Sequence, residues 1–372
     1  MIRPDEGTVL DRRTLNRALL ARQHLLERVA LPVPFLIEHL VGMQAQVPRD
    51  PYIGLRARLR DFDPAELEHL LLERLAVRMT LMRTTLHLVT AGDATKLRSV
   101  VQEVCDRGFR LSPFRRRLDG VGLDELQRAG RALLAEHPRT ISERGLALIE
   151  RWPDSDRQAL AYAVRYQVPV VQVTPRGLWG RSGAPRLAPL DSWLGPDQGG
   201  DSSPDAALDE TVLRYLRAFG PATAADVRTW PWLSGAGDVL GRLRPELRSY
   251  RDEAGRESLD VEDGMFADPD QPAPVRFLGE YDNVFLSHAD RSRITGDLSW
   301  GATFARKGSF FVDGVLAGAW GLKTSQDSVT LEVEPMKQLS AASQTEVVTE
   351  AEALLQFLAP GAISTRVLLA AA

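Results

Sequence analysis

Two glutamines flank one alanine in the tract Val41-Gly42-Met43-Gln44-Ala45-Gln46-Val47-Pro48-Arg49-Asp50. An amide donates and accepts hydrogen bonds but neither titrates nor attacks, so Gln44 and Gln46 together can hold a water, a base edge or a backbone group without competing for protons. Residues at i and i+2 share one side only in extended or turn geometry, so the chain must leave helical geometry here for both amides to converge. Pro48 and Pro51 prevent a helix from continuing beyond Val47. The bland alternative is that the two amides satisfy open backbone groups at a helix C-terminus.

Other chemistry-bearing residues are fewer than the length suggests. Ser287-His288-Ala289-Asp290 holds the three residue types of a hydrolase triad, but sequence neighbours cannot line up as nucleophile, base and orienter. A structural hydrogen-bond cluster near Arg291 and Arg293 is the expectation there. His24, His39, His69, His87, His137 and His288 never fall at metal-ligand spacing, and the single cysteine, Cys105, excludes an internal disulfide. No phosphate loop or dinucleotide glycine pattern is present, so neither a metal nor a cofactor is expected. His87 alternates with Thr85 and Val89, which leaves it facing a cleft near the glutamines or filling a structural position. Trp179, between Arg176 and Arg181, either stacks on nucleic acid or packs within a hairpin.

The elements that must position these residues read as α+β. The leucine spacing of Thr14 to Arg28 predicts a first helix, and Pro34 opens a second that ends at Gln44. Tyr52 to Arg60 is helical, and Asp63-Pro64-Ala65-Glu66 caps a further helix through Leu75. Residues 76–82 and 85–89 are two strands joined at Arg83-Thr84. Helices followed by a hairpin make a winged helix. The pattern recurs in Leu123 to Glu136, a capped helix from Arg139, Asp154 to Tyr166, the strand Val168 to Val173, and a glycine-rich wing over 174–187 carrying Arg176, Trp179, Arg181 and Arg186. A third round runs through Pro204–Ala218, 220–227, Asp238 to Leu247 and strands near Tyr250–Val261. Breaks at Gly195–Pro204 and Asp268–Pro274 precede short strands at 275–278, 284–287, 309–312, 315–320 and 329–334, with Asp313-Gly314 as a tight turn. Thr345 to Leu358 is a last helix, and the tail Arg366–Ala372 packs or frays. The expected architecture is thus three tandem winged-helix motifs, over 1–120, 121–200 and 201–270, with a small β-barrel-like domain over 271–372.

The chain has 372 residues and a net charge of −4, which alone argues against a nucleic-acid partner. The distribution is lopsided: residues 1–120 carry 20 Lys/Arg against 15 Asp/Glu, and residues 201–372 carry 16 against 26. The first part could face an anion. Lysine stands only at 96, 307, 323 and 337, so nearly every cation is an arginine, which forks onto phosphates and guanine edges. No apolar run approaches the ~18 residues of a membrane span, and the first 30 residues lack a signal-peptide core. A cytoplasmic protein, without a membrane partner, is expected.

Four tracts together resemble a known family: Gln44-Ala45-Gln46 after a short helix, Arg83-Thr84-Thr85-Leu86-His87, Gly177-Leu178-Trp179-Gly180-Arg181, and Tyr281-Asp282-Asn283-Val284-Phe285-Leu286-Ser287-His288-Ala289-Asp290-Arg291. In order, they resemble the winged-helix DNA glycosylases of the AlkZ/YcaQ type, over nearly the whole chain. The resemblance implies tandem winged helices around a DNA channel and hydrolysis of N-glycosidic bonds at N7-alkylated purines, including unhooking of azinomycin-type interstrand crosslinks in antibiotic self-resistance. A Gln-apolar-Gln motif carries catalysis in that family and maps onto Gln44 and Gln46; relatives with Gln-apolar-Asp have a carboxylate where this chain has Gln46. The partner implied is double-stranded DNA carrying alkylated purines or crosslinks, met by a monomer through Arg49, Arg56, Arg83, Thr84, His87, Arg176, Trp179, Arg181 and Arg186.

That chemistry suits a site with no obvious base. N7 alkylation makes the purine a cationic, good leaving group, so two amide oxygens near the anomeric carbon suffice to position a water and favour the developing sugar cation. Gln46 is expected to orient the water, with Gln44 sharing that role or holding the sugar-phosphate. With no lysine near the motif to form a Schiff base, hydrolysis without strand cleavage is expected. The competing readings are a winged-helix transcriptional regulator and a drug-sequestering resistance protein.

Overall fold

The computed structural model describes residues 4–195, 203–301, 306–326 and 328–370. It begins with strand β1 (Val9–Leu10) and helix α1 (Arg12–Arg22), which Asp11 caps by accepting from the Thr14 N–H at 2.7 Å. The helix ends six residues before the expected Arg28. His24 turns left-handed at φ 52°, and the Gln23 amide instead donates to Ala218 O at 2.7 Å. Leu25 and Leu26 still reach the same core, from outside the helix.

Helix α2 (Val33–His39) also stops early. Val41 (φ 53°) and Gly42 (φ 88°) are left-handed, and Gly42 N donates back to Ile37 O at 2.9 Å, a Schellman-type ending that satisfies the open carbonyls. A Cβ on Gly42 would lie 2.7 Å from Val89 Cγ1. The chain therefore enters strand β2 (Met43–Gln44) already extended, and the two glutamines lie beyond the helix rather than at its end.

Helices α3 (Asp50–Arg58) and α4 (Pro64–Leu72), strand β3 (Ala76–Thr80), a 3-10 turn at Met82–Thr84 and strand β4 (Leu86–Thr90) follow. Asp63 and Glu66 form the expected capping box on α4. Every residue of β3 and β4 is buried. Helices α5 (Ala91–Val100) and α6 (Gln102–Leu111) then cover a region for which no element was expected.

Helices α7 (Leu123–Glu136), α8 (Ile141–Ile149) and α9 (Arg157–Gln167) lead into strands β5 (Val170–Gln172) and β6 (Leu187–Pro189) and helix α10 (Leu190–Leu194). Strand β5 pairs antiparallel with β3 through Arg78↔Gln172 and Met79↔Val171. The first two rounds thus share one five-stranded sheet, ordered β2-β4-β3-β5-β6, and the glycine-rich segment is the connection between its last two strands. Of the expected linker, residues 196–202 lie outside the described residues. Helices α11 (Pro204–Phe219), α12 (Ala224–Thr229) and α13 (Ala236–Leu243) precede strands β7 (Leu247–Asp252) and β8 (Glu257–Val261), and β1 joins β7 in parallel.

The last region comprises β9 (Arg276–Leu278), α14 (Asn283–Leu286), α15 (Ser292–Thr295), β10 (Gly308–Val312), β11 (Val315–Thr324), β12 (Ser328–Pro335), α16 (Ala341–Leu358) and β13 (Ser364–Leu369). Two expectations are corrected here. The strand expected at 284–287 is a helical turn, capped by Asp282 accepting from Val284 N at 3.2 Å. The barrel-like domain is an open sheet, ordered β13-β12-β11-β10-β9 among the described residues: β13, formed by the tail expected to pack or fray, pairs in parallel with β12 and leaves an edge opposite β9. The Asp313-Gly314 turn stands as expected, with both residues at positive φ (45° and 74°). The α+β class is as expected.

The lopsided charge is largely spent inside the molecule. Arg22 grips Asp260 with both ends of its guanidinium, at 2.7 and 2.6 Å, Arg58 grips Asp282 in the same way, and Arg17 pairs with Asp313. Arginines of the first third thereby dock on carboxylates of the last; the Arg22–Asp260 and Arg58–Asp282 pairs are buried away from water, while Asp313 is half exposed.

Candidate active site

Gln44 sits on β2 opposite His87 of β4 and is only 7% exposed. Its Oε1 accepts from Arg83 Nη2 at 2.9 Å and from the Thr85 hydroxyl at 3.4 Å. A guanidinium has donors only, so the atom facing Arg83 must be the amide oxygen. The amide NH2 of Gln44 is left with no hydrogen-bond acceptor among the described residues. Gln46 is exposed, and its Oε1 accepts from Leu86 N over a long 3.4 Å. Both side chains therefore reach the 83–86 turn, but only Gln44 is firmly oriented.

The backbone around them is fixed from a distance. Asn283, at the start of α14, accepts from Gln44 N at 3.2 Å and donates to Gly42 O at 2.7 Å. Arg78 donates to Ala45 O at 2.6 Å. Asp282, one residue before Asn283, is itself locked by Arg58. Arg83 is bound by its other nitrogen to Trp230 O, and its backbone N–H donates to Pro231 O. Three non-glycine residues near Gln44 are left-handed, Val41, Arg83 and Thr84, and so is Trp232, the residue after Pro231. Such backbone persists only where the surroundings over-determine it.

The electrostatics beside Gln44 are cationic. Burial, with Arg291 nearby, holds the Arg83 guanidinium at about 10, below the usual arginine range, and it stays charged. Burial and then the Arg83 charge push His87 down to about 3, so the imidazole is neutral, with Nδ1 3.1 Å from Thr85 O. Asp50, at the start of α3, is raised to about 7 by burial, against the pull of Arg49. It accepts from Glu280 N at 3.2 Å.

The other candidate residues are divided. Arg49 is exposed beside Asp50, on the rim of a cavity of about 190 Å³ shared with Glu280, Arg306 and Lys307. Thr84 packs toward Gly108 of α6. Arg56 is paired with Glu350 at 2.9 Å, and Arg186 forks onto Glu143 at 2.9 Å. Arg176 donates to Gly183 O within its own loop, and Arg181 is exposed. Trp179 lies half-buried between Tyr52 and Phe357, ring centroids 4.8 and 5.0 Å away, the packing alternative. Thus Gln44, Gln46, Arg83, Thr84 and His87 come together, and the arginines of the 174–187 loop do not join them through any contact. His288 is buried and hydrogen-bonded to Ser287 at 2.8 Å, while Asp290 binds Arg256 instead, so no triad forms. Asn283 and Trp230 were missed as site residues; Asn283 lies within the Tyr281–Arg291 tract, but nothing local marked it as a partner of residue 44.

Among the described residues, no helix is long and apolar enough to cross a membrane, and no cluster of His, Cys, Asp and Glu could hold a metal. The family model described as DNA glycosylase AlkZ-like matches residues 37–357. The fold is similar to the solved structure of the Streptomyces sahachiroi DNA glycosylase AlkZ, with TM-score 0.70 and 20% sequence identity, over 98% of this chain and 100% of that one. No curated protein matches.

Proposed function

This chain belongs to the AlkZ-like DNA glycosylase family, and from that premise we propose that it hydrolyses the N-glycosidic bond of N7-alkylated purines in duplex DNA, unhooking azinomycin-type interstrand crosslinks among them. The observation that carries the reading is the anchored Gln44 amide, held by Arg83 and Thr85 at a backbone pinned by Asn283. The proposed residues are Gln44 and Gln46 for chemistry, with Arg49, Arg83, Thr84 and Arg181 toward DNA; His87, 2% exposed, is corrected from a DNA contact to a buried neighbour of the amides because its strand is covered on both faces.

In the reaction, the C1′–N9 bond breaks with its electron pair going to the cationic base, which leaves neutral. Water adds to the sugar cation and loses a proton to solvent, giving an abasic hemiacetal. No general acid is needed, which suits the neutral histidine, amides and guanidinium that meet around Gln44. Gln46, exposed and weakly held, can turn its oxygen to the attacking water. Gln44 cannot: its oxygen is committed, so it offers an N–H to an acceptor on the nucleotide, a phosphate oxygen or a base edge. An open, amide-lined surface accommodates a bulky adduct without the tight pocket of base-flipping enzymes. Three tandem winged helices and action as a monomer belong to the same reading; for the winged helices, the capped second helices at Thr140 and Thr223 and the β7–β8 hairpin are supporting features.

The test is release of free base from duplexes carrying N7-alkylguanine or an azinomycin-type crosslink, with wild type, Gln44→Ala, Gln46→Ala and the double variant. Loss of release with DNA binding retained, and no strand incision by wild type, is the expected result. No release by wild type, with tight binding to an intact sequence, would return the chain to the regulator class.

A further inference from the structure

The loop after α12 carries a tryptophan that the fold does not use. Trp230 stacks on Tyr215 with ring centroids 4.7 Å apart, and Leu233 is buried in the same core. Between them Trp232 stands 48% exposed at φ 66°. A large aromatic in the left-handed region and in water is unfavourable on both counts. It is nevertheless held there at several points. Arg83 binds Trp230 O and Pro231 O, Arg107 of α6 binds Trp232 O, and Ser234 donates to Glu103 of α6 at 3.2 Å.

The same Arg83 guanidinium that binds Trp230 O orients Gln44. Two residues of chain reach at most about 7 Å, so Trp232 stands within about four base steps of Gln44, at ~3.4 Å per step. The neighbouring charge is slightly positive: Arg107, bound to the loop itself, and Arg110 and Arg116, at and just beyond the end of α6 and exposed without an ion-pair partner among the described residues, make three cations against Glu103 and Asp106 on that helix. We infer that Trp232 engages the DNA duplex beside the lesion, stacking on or wedging against a base while Arg83 couples its loop to the Gln44 amide. The inference rests on the glycosylase reading for its substrate but not for its test.

An exposed ring can be removed without unfolding the protein, and its melting temperature checks this. Wild type, Trp232→Ala and Trp232→Phe are titrated into duplexes containing 7-methylguanine with 2-aminopurine one to four steps away, following anisotropy, 2-aminopurine fluorescence and base release together. Stacking on an aromatic side chain is worth about 1–3 kcal/mol per base, so Trp232→Ala should weaken binding between about 5- and 150-fold and abolish the fluorescence rise. Trp232→Phe should keep most of both. Equal affinity and equal fluorescence for Trp232→Ala and wild type would overturn the inference, whatever the base release. Trp232-dependent binding by a wild type that releases no base would uphold it while removing the glycosylase reading.

Discussion

Replacing Gln44 by glutamate separates two roles that an alanine substitution confounds. Gln44→Glu keeps an oxygen in place to accept from Arg83, now as a charge-assisted bond at the observed 2.9 Å. It exchanges the free NH2 for a second oxygen. If the amide oxygen served the developing sugar cation, a carboxylate would serve it better and the variant would match or exceed wild type. In the structure that oxygen is already taken by Arg83 and Thr85, so the N–H is what remains for the nucleotide. Losing a hydrogen bond to a charged acceptor costs about 1.5–3 kcal/mol, or roughly 10- to 150-fold in rate at 1.36 kcal/mol per decade. The new anion facing a phosphate would add to this. The assay is single-turnover release of 7-methylguanine at saturating enzyme, with melting temperatures as the folding control. Arg83→Met should also slow release by freeing the amide to rotate, and Arg83→Lys should recover part of the loss by supplying a single donor. Gln44→Glu working as fast as wild type, with Gln44→Ala slow, would refute the assignment of the donor edge.

Three further outcomes follow from the same geometry. Gly42→Ala should destabilise the fold by at least ~1 kcal/mol for the left-handed backbone, more for the contact at 2.7 Å with Val89 Cγ1, and should depress base release; an unchanged urea midpoint would contradict the strain argument. Asp50 is raised to about 7 by burial, above the unfolded value of about 3.9, so the folded state keeps a proton that the unfolded chain loses. Stability from this group therefore falls as pH rises from about 4 to 7, by up to ~4 kcal/mol, and Asp50→Asn should gain on wild type in urea melts at pH 8 but not at pH 4. Because His87 is held down to about 3, the rate of base release should show no ionisation near 6.5 that His87→Gln removes; such a limb would mean the histidine titrates at work.

Local signals were legible where the responsible groups are neighbours. The capping boxes at Asp63, Thr140 and Thr223 set helix starts, and Asp313-Gly314 set a hairpin. Each of these depends on atoms within four residues. Helix ends were misjudged where a distant group supplies the competing bond, as Ala218 does for Gln23 and Asn283 does for Gly42 O. Residues 284–287 read as a strand because their apolar run carries no period, and the Asp282 cap together with Arg58, 224 residues away, made a helical turn of Asn283–Leu286. Helix α5 mixes polar and apolar residues too evenly to announce itself, whereas α6 is amphipathic, with Val104, Cys105 and Phe109 on its buried face, and its spacing was legible in the sequence.

The two tryptophans mark the boundary most clearly. Glycines and arginines beside Trp179 suggested a surface role, yet Tyr52 and Phe357, far from it in sequence, enclose its ring. Nothing beside Trp232 distinguished it from a core residue, and only the docking of its loop on Arg83 and Arg107 left it in water. Residue types and their spacing determined that the two amides would stand in non-helical chain, since that follows from local stereochemistry. Which amide edge faces outward, and which arginines remain for a polyanion, was decided by partners brought together from opposite ends of the chain, because only folding determines which charges and carbonyls come within hydrogen-bond reach.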